Sequence, residues 1–372
     1  MTAIRVLQLA TAGPLYGAER GILALSRHFD PARVDTRLAI IEDDGSSEEP
    51  PLATAARGAG LNVDTICAPG RINLNAVRQL TALIEKYDIE IVHSHGYKAD
   101  MIALLACKAQ RAKTKLAMTP HGWSTEADLK LRFYEWLDRQ MFRLADAVIP
   151  LSSALAEELA PVLGSSGRLT LIENGIDIGD IDAAQKIAPY MAALRRTGPV
   201  IGFMGRLVEQ KDVSTLLSAF AKWARCDANI VIVGEGDARC DLERQAQELG
   251  ISARTHFVGF RADRLDWLRG FDLLALPSLA EGMPRCVMEA MAAHIPVVAT
   301  DIDGIRELMC GGQNGMLFAP GDPSALADAF SIVDEPAKLK QITANARKHV
   351  ELNHGARNMA RQYEELFAAM MD

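Results

Sequence analysis

The feature that most restricts the fold is a regular alternation of short apolar segments and amphipathic segments along the chain. The apolar segments are rich in valine and isoleucine, as in strands that are buried on both faces. The segments between them have the period of helices, for example at Leu74–Tyr87 and Leu129–Leu144. Buried strands that alternate with helices indicate a parallel sheet covered on both faces. The sequence therefore predicts an α/β fold.

The alternation occurs in two successive series, separated by a polar stretch at Asp177–Gly198. This stretch contains Gly179, Pro189 and Gly198, and we interpret it as the connection between two domains. The first series predicts strands at Ile4–Ala10, Thr36–Ile41, Ile89–His93, Lys115–Thr119, Ala147–Leu151 and Leu169–Ile172. The second series predicts strands at Val200–Met204, Asn229–Val233, Thr255–Val258, Leu273–Leu276, Val297–Ala299 and Met316–Phe318.

The length of the chain also favours two domains, because 372 residues exceed one ordinary core. We predict a first Rossmann-like domain over residues 1–185 and a second over residues 190–356. An amphipathic segment at about 357–372 has no strand after it, and we expect this helix to pack back on the first domain. Ligands of doubly wound sheets bind beyond the carboxyl ends of the strands, so the residues directly after strands are the candidates for a site.

Composition excludes several classes of function. The formal net charge of −8 argues against a nucleic-acid-binding protein, because such proteins carry a basic face. The six cysteines form no CxxC pair and no zinc-spaced cluster with histidine, so no metal site is predicted. We find no membrane-spanning stretch and no signal peptide, and we expect a cytoplasmic protein. Lys108, Arg111, Lys113 and Lys115 leave open a weak peripheral association with the inner face of the plasma membrane.

Two glutamates eight residues apart, Glu281 and Glu289, form the strongest chemical signal. Glu281 follows a predicted strand, and Gly282 allows backbone amides to approach a ligand. Pro284 suits the first turn of the next helix, whose free amides and dipole favour an anion. Glu289 lies in this almost wholly apolar helix, where a carboxylate requires partners. An acid on a helix is usually only solvated, but these surroundings favour a carboxylate that accepts hydrogen bonds from a vicinal diol.

A second signal, Gly205-Arg206-Leu207-Val208-Glu209-Gln210-Lys211-Asp212, follows the first strand of the second domain. An arginine can hold phosphate oxygens with its planar guanidinium, and a lysine adds a point charge. Taken alone, Arg206 and Lys211 are more simply interpreted as solvated residues of a loop. Together with the anion site predicted near Pro284, they favour a diphosphate site.

The order of these motifs resembles the retaining glycosyltransferases of family 4, the glycosyl transferases group 1, of the bacterial polysaccharide and glycolipid type. The resemblance covers nearly the whole chain and is densest from Gly205 to Leu308. There the sequence reads G-R-L-x-x-x-K-D, V-G-E-G-D, F-x-G, P-S-x-x-E-G-x-P-x-x-x-x-E-A-M-A and P-V-V-A-T-D. Such an ordered set is far more specific than a single glycine loop. The resemblance implies a GT-B fold, with two Rossmann-like doubly wound domains that face each other across a cleft.

By this resemblance, individual residues take defined roles. Arg206 and Lys211 would bind the donor diphosphate and stabilise the leaving nucleotide. Glu281 would contact the transferred sugar, and Glu289 would bind the ribose hydroxyls. His121, within Thr119-Pro120-His121-Gly122-Trp123, would face the donor sugar and is counted with Arg206, Lys211 and Glu281 as catalytic. The other implied donor-binding residues are Gly17, Gly205, Gly259, Phe260, Arg261, Gly282, Met283 and Pro284.

The first half matches the family more loosely. The segment Gly13–Arg20 follows the first strand and resembles the acceptor-side glycine loop of the family, with Tyr16-Gly17 where many members have paired glycines. The segment His93-Ser94-His95-Gly96 also follows a strand, and we interpret His95 as structural. Glu173–Asp177 resembles the hinge-side motif of the family and equally fits a simple turn.

The resemblance implies two substrates and no cofactor. The donor would be a nucleotide-diphosphate sugar, with a UDP-sugar favoured over GDP-mannose, and the acceptor a saccharide or lipid-linked saccharide of cell-surface polysaccharide or glycoconjugate synthesis. Because the family retains the anomeric configuration, attack would come from the face that the nucleotide leaves, and we assign no protein nucleophile. Arg206, Lys211 and helix amides would stabilise the leaving phosphate without a metal ion. Neither Asp43-Asp44 nor Asp301-x-Asp303 fits a metal-binding DxD pair beside the diphosphate.

Three alternatives remain open. A nucleotide-sugar 2-epimerase would act on the donor alone. A non-catalytic, two-lobed sugar-binding protein would bind its ligand without releasing a nucleotide. A dehydrogenase is disfavoured, because Val233-Gly234-Glu235-Gly236-Asp237 opens like a dinucleotide fingerprint but Arg239 replaces the third glycine.

Overall fold

The computed structural model describes residues 2–43, 49–70, 73–110, 113–121, 139–164, 167–223 and 225–372. The chain forms two compact units, one of residues 1–175 with 356–372 and the other of residues 176–355. The units meet in the sequence at Gly175 and Ile176, earlier than the boundary of 185–190 predicted from sequence. Each unit contains a six-stranded sheet in which all paired strands are parallel.

The sheet of the first unit has the strand order β3-β2-β1-β4-β5-β6. Its strands are β1 (Ile4–Thr11), β2 (Val34–Glu42), β3 (Asn62–Cys67), β4 (Ile91–His95), β5 (Lys115–Thr119) and β6 (Ala147–Val148). Its helices are α1 (Gly17–His28), α2 (Pro51–Gly58), α3 (Leu74–Lys86), α4 (Tyr97–Ala109), α5 (Ser153–Leu163) and a C-terminal helix (Ala356–Met371). The C-terminal helix packs its apolar side, including Tyr363 and Phe367, against Val6 of β1 and Phe29.

The sequence prediction for this unit missed one strand, β3, and predicted one strand, Leu169–Ile172, that does not form. β3 was missed because its sequence, Asn-Val-Asp-Thr-Ile-Cys, lacks the continuous apolar character of the other strands, and only Ile66 is buried in this edge strand. The predicted strand Leu169–Ile172 contributes only an isolated bridge between Leu169 and Val148. Edge strands face water on one side, so apolar content is a weak signal for them.

The second unit has the strand order β12-β11-β10-β7-β8-β9, and all six strands predicted for it are confirmed. They are β7 (Val200–Met204), β8 (Asn229–Val233), β9 (Thr255–Gly259), β10 (Leu273–Leu276), β11 (Val297–Thr300) and β12 (Met316–Phe318). The helices of this unit are α6 (Ile178–Ala183), α7 (Pro189–Leu194), α8 (Val213–Lys222), α9 (Arg239–Glu248), α10 (Arg264–Leu268), α11 (Arg285–Ala292), α12 (Asp303–Leu308), α13 (Pro323–Phe330) and α14 (Pro336–Asn353).

The segment Asp177–Gly198, interpreted from sequence as a connection between domains, is mostly helical and belongs to the second unit. The Asp177 side chain caps α6 by accepting a hydrogen bond from the amide of Asp180 at 3.1 Å. Pro189 is the first residue of α7, and Met191 is fully buried in the core. The polar residues and the proline therefore mark helix starts rather than a linker.

Some sequence predictions fall on residues outside the described ranges. These are Arg111, Asp44, the Gly122-Trp123 pair and residues 129–138 of the predicted helix Leu129–Leu144. Within the ranges that are described, no helix combines the length and the apolar character needed to cross a bilayer.

Candidate active site

In each sheet, two neighbouring central strands mark the point where the strand order reverses. Later strands are added towards one edge of the sheet from the first of these strands, and towards the other edge from the second. The two central strands are β1 and β4 in the first unit, and β7 and β10 in the second. The loops that leave the carboxyl ends of such a pair diverge and create a crevice, which is where doubly wound folds bind ligands. In the second unit, Lys211 follows β7 and Glu281 follows β10, so both lie at this position.

Lys211 and Glu281 form an ion pair, although they are 70 residues apart in the sequence. The Glu281 Oε1 atom also accepts a hydrogen bond from the Ser278 hydroxyl at 2.7 Å. The side chains of Lys211 and Glu281 are only 15% and 9% exposed. The structure thus brings two predicted site residues together and adds Ser278, which fixes the orientation of the carboxylate.

The backbones of the loops around this ion pair are also joined. The Leu279 amide donates to the Gln210 carbonyl at 2.8 Å, and the Gln210 side chain donates to the Ala280 carbonyl at 2.7 Å. Two glycines allow further loops to approach closely. A Cβ on Gly234 would lie 1.8 Å from the carbonyl oxygen of Gly205, and a Cβ on Gly304 would lie 1.8 Å from that of Gly282. Both positions require glycine because any side chain would displace the loop that follows β7 or β10.

Glu289, the predicted ribose ligand, lies in α11 and forms a bidentate ion pair with Arg264 at the start of α10. Arg264 Nη2 donates to Glu289 Oε1 at 2.6 Å, and Arg264 Nε donates to Glu289 Oε2 at 3.1 Å. The Glu289 side chain is 3% exposed and that of Arg264 is 19% exposed. The expectation that this buried carboxylate has partners is confirmed, but one partner is a protein guanidinium that the sequence did not indicate.

The loop before α11 carries the other residues predicted around the sugar and phosphates. Gly282 is exposed, whereas Met283 and Pro284 are buried. Pro284 occupies the N-cap of α11, which begins at Arg285. Burial lowers the pKa of the Arg285 guanidinium to about 10, an effect that the nearby Glu289 carboxylate opposes.

The remaining donor-side residues lie after β7 and β9. Arg206 is exposed and has no ion-pair partner among the residues that the structure describes, and Gly205 is adjacent to it. Gly259 has a φ of +74°, where a side chain would be strained. Phe260 is 44% exposed. Arg261 lies over the Trp267 ring at 4.7 Å and forms two hydrogen bonds with Asp263 at 3.1 and 3.2 Å, which lower the pKa of Asp263.

In the first unit, the carboxyl ends of β1, β4 and β5 carry a connected set of polar side chains. His95 Nδ1 lies 3.2 Å from His121 Nε2, and His95 Nε2 lies 2.9 Å from Gln8 Oε1. A second chain runs from His93 Nε2 to the Thr119 hydroxyl at 2.7 Å and on to the Tyr363 hydroxyl at 3.3 Å. These contacts bring His121, a predicted site residue, together with His95, which sequence reasoning left as structural.

Burial keeps two of these imidazoles neutral. His93 is 0% exposed and His95 is 6% exposed. Burial lowers the pKa of His93 to about 3, and it lowers the pKa of His95 well below its ordinary value. Both rings are therefore uncharged near neutral pH, and each carries a single N–H.

The loop after β1 leads directly into α1, whose first residue is the predicted donor-binding residue Gly17. The Tyr16 amide donates to the Glu19 carboxylate at 3.0 Å, and Arg20 Nε donates to the Leu15 carbonyl at 2.9 Å. These contacts stabilise the start of the helix. Burial raises the pKa of Glu19 despite the amides that it accepts from.

The sequence predicted no metal site, and this stays a prediction. Within the described part of the chain, no group of three or more His, Cys, Asp or Glu side chains has an arrangement that could hold a metal ion.

Both halves of the chain match known protein families. Residues 16–180 match the family model described as Glycosyltransferase Family 4, and residues 198–333 match that described as Glycosyl transferases group 1. Both halves of the chain therefore carry glycosyltransferase domains. The first matched range contains β2 to β6, and the second contains β7 to β12 together with Lys211, Glu281 and Glu289.

Individual relatives agree with this assignment. The chain is 28% identical over 295 residues to glycogen synthase of Mycobacterium tuberculosis (strain H37Rv), covering 75% of this chain and 69% of that enzyme. It is 26% identical over 316 residues to the UDP-Gal:alpha-D-GlcNAc-diphosphoundecaprenol alpha-1,3-galactosyltransferase of Escherichia coli, covering 77% and 78%. The structure of Anabaena Alr3699/HepE in complex with UDP-glucose is similar with a TM-score of 0.83 at 23% identity, covering 98% of this chain and 100% of that chain. The chain therefore has the two-domain α/β fold of the GT-B type.

Sequence reasoning missed Arg264 and Ser278, which contact the predicted site residues Glu289 and Glu281, and it missed Gln8, which contacts His95. Ser278 lies in the motif that was recognised, three residues before Glu281, and could have been found there. Arg264 lies 25 residues before Glu289, and Gln8 lies 87 residues before His95. These two contacts join separate helices and separate strands, respectively, so no local pattern indicates them.

Proposed function

We propose that this protein transfers a sugar from a nucleotide-diphosphate sugar, with retention of anomeric configuration and without a metal ion. The observation that carries the proposal is the Lys211–Glu281 ion pair between the ends of β7 and β10, at the crevice of the glycosyltransferase group 1 domain. A cation and a carboxylate held side by side match the two ends of a sugar diphosphate. The ammonium would bind phosphate oxygens, and the carboxylate would accept hydrogen bonds from sugar hydroxyls.

Cleavage of the sugar–phosphate bond builds negative charge on the leaving phosphate, and groups that bind this charge accelerate the reaction. Lys211 has three N–H donors, so it can keep Glu281 as a partner and still donate to phosphate. Arg206 is exposed on the same loop and would add a second cation. We assign no protein nucleophile: the acceptor hydroxyl would attack from the face that the phosphate leaves, and its proton would pass to the departing phosphate oxygen.

We favour a UDP-sugar as the donor. The Escherichia coli relative is named for a UDP-Gal donor, and the similar Anabaena structure contains UDP-glucose. In this chain Glu289 would bind the ribose hydroxyls, with its carboxylate oriented by Arg264, and Gly259, Phe260 and Arg261 would lie near the base.

For the acceptor we propose a saccharide or lipid-linked saccharide of cell-surface polysaccharide or glycoconjugate synthesis. The Escherichia coli relative is named for a diphosphoundecaprenol-linked sugar acceptor, which supports the lipid-linked class. The protein would then act in the cytoplasm, with weak contact to the inner face of the plasma membrane through basic residues such as Lys108 and Lys113, which are exposed.

The test is a screen of the purified protein for binding of UDP-glucose, UDP-galactose and GDP-mannose by thermal shift, and for slow nucleotide release into water, with and without EDTA. We expect one donor to stabilise the protein and to release nucleotide at the same rate in EDTA. Loss of release in EDTA would contradict the metal-free mechanism. Formation of an epimeric nucleotide sugar would favour the 2-epimerase, and binding without release in the presence of candidate acceptors would favour a sugar-binding protein.

A further inference from the structure

Six polar side chains interrupt the apolar core of the first unit on one face of its sheet. The strand register pairs Gln8 with His93 and His95 with Thr119, so these four side chains point to the same side of the sheet. Each is no more than 6% exposed. Tyr363 of the C-terminal helix covers His93, and His121 continues the set at the loop after β5.

Such a set is expensive to bury, because each polar group gives up its hydrogen bonds to water. The adjacent β1 and β4 positions Leu7, Leu9 and Val92, on the other face, are wholly apolar and fully buried. Ser94 of β4 also lies on that face and is buried, and its hydroxyl donates to the Asp100 carboxylate.

One chain of hydrogen bonds runs from Gln8 through His95 and ends at His121, an exposed residue in the loop after β5. The other runs from His93 through Thr119 and ends at Tyr363.

The hydrogen-bond partners determine the tautomer of each ring. Gln8 presents its amide oxygen, Oε1, to His95 Nε2 at 2.9 Å, and its amide nitrogen has no hydrogen-bond partner among the described residues. In this orientation of the amide, Oε1 can only accept, so His95 Nε2 carries the proton. A neutral imidazole has one N–H, so His95 Nδ1 is an acceptor. At 3.2 Å from this acceptor, His121 Nε2 must be the donor. In this tautomer, Nδ1 of His121 is unprotonated and can accept a hydrogen bond from a ligand hydroxyl.

We propose that His95 is a positioning residue, which holds His121 in the Nε2–H tautomer and fixes its ring so that Nδ1 accepts a hydrogen bond from a sugar hydroxyl. The role of the sugar hydroxyl rests on the proposed function. The tautomer does not, because it follows from the contacts of Gln8, His95 and His121 alone. The partner on one nitrogen of a histidine sets the chemistry of the other nitrogen.

The first experiment measures the tautomer directly. In protein labelled with ¹⁵N-histidine, a long-range ¹H–¹⁵N correlation spectrum distinguishes protonated from unprotonated ring nitrogens, and the His121→Gln variant assigns the His121 signals. We expect wild-type His121 to be protonated at Nε2 near pH 7.5. We expect His95→Leu to convert His121 to a mixture of tautomers. Protonation of wild-type His121 at Nδ1 would overturn the proposal, even if no variant of His95 folds.

The chain offers a matched control at His93, which lies on the same strand and face but bonds to Thr119 rather than to His121. His93→Leu removes an equally buried imidazole, and we expect it to leave the tautomer of His121 unchanged. His95→Asn places an amide oxygen near the position of Nδ1 and is expected to restore the wild-type pattern. An unchanged His121 tautomer in folded His95→Leu, or the same change in His93→Leu, would show that the effect is not specific to His95.

Kinetics separate this proposal from the proposed function. With the donor identified by the screen, we expect His95→Leu to lower kcat for nucleotide release about tenfold, the lower end of what ligand-orienting partners contribute in metal sites. The KM for the donor should change less than about twofold, because His95 contacts no diphosphate or ribose ligand. Absence of nucleotide release in wild-type protein would overturn the proposed function and leave the tautomer result standing. A normal kcat in a variant with an altered tautomer would overturn the positioning role.

Discussion

The two domains place opposite kinds of chemistry at equivalent positions in their sheets. At the carboxyl ends of β1, β4 and β5, the first domain has neutral groups joined by hydrogen bonds, from Gln8 through His95 to His121. After β7, β9 and β10, the second domain has ion pairs, Lys211 with Glu281 and Arg264 with Glu289.

The two environments suit different chemical groups. A neutral imidazole with a fixed tautomer suits a hydroxyl, because the hydroxyl supplies a hydrogen bond and no charge. A partly buried ammonium suits a phosphate, because the interaction between charges is strong where water is excluded. Each domain contains one of these environments, and the three predictions below test whether the division is real.

The largest effect is expected from the charged side. Lys211→Ala should lower nucleotide release about 10²- to 10³-fold, because the developing phosphate charge loses its buried cation. Steady-state kinetics of the folded variant provide the measurement. Lys222→Ala is the control, since its ammonium donates to the Ser324 hydroxyl at 2.8 Å in an exposed position. Near-normal turnover in Lys211→Ala would remove the basis for calling this crevice a phosphate site.

The second prediction concerns the unequal burial of Arg264 and Glu289, the two partners of the bidentate ion pair. Arg264→Met should destabilise the second domain by about 3 kcal/mol, because it leaves a buried carboxylate without its bidentate partner. Glu289→Ala should destabilise it less, since Arg264 is 19% exposed and can reach water while Glu289 is 3% exposed. Glu289→Ala should nevertheless strongly reduce turnover through loss of the ribose ligand.

Urea unfolding measures both variants of this pair. Arg261→Met, which breaks the more exposed pair with Asp263, serves as the control and should cost at most about 1 kcal/mol. Equal destabilisation by Arg264→Met and Glu289→Ala would show that burial does not govern this pair, and normal turnover of folded Glu289→Ala would contradict its assignment to the ribose.

The smallest effect is expected from the neutral side and depends on pH. The pKa of His93 is lowered to about 3 in the folded domain, from an ordinary value of 6.5. Between these two pKa values, His93 is protonated in the unfolded chain and unprotonated in the folded domain. This contribution to stability is complete above pH 6.5 and is lost as the pH falls towards 3. At pH 5 the loss is about 2 kcal/mol.

Thermal unfolding from pH 7.5 to pH 4.5 tests this prediction through the difference between wild type and His93→Gln. The amide of glutamine can still contact Thr119 but does not titrate, so the variant should lose less stability on acidification than the wild type. An equal loss of stability on acidification in both proteins would indicate that the folded domain also binds a proton at His93. The contrast between a neutral first domain and a charged second domain would then be wrong.

Prediction from sequence was most successful where one local pattern carries the signal. All six strands of the second sheet are continuous apolar segments, and all were predicted. The edge strand β3 was missed because polar residues alternate with its apolar ones, and the helices within Asp177–Gly198 were missed because their caps resemble a linker. Glu281, Glu289 and Lys211 were found because each lies in a motif directly after or near a predicted strand.

Local sequence patterns were enough to predict the α/β class, the two series of strands and the charged residues beside the strand ends. These depend on hydrophobic period and on local motifs, which neighbouring residues in the chain specify. Only the tertiary structure decided which side chains are partners. The pairs Arg264–Glu289 and Gln8–His95 join residues on different elements, and their geometry depends on strand order and register. Register determines which side chains share one face of a sheet, and no single segment contains that information.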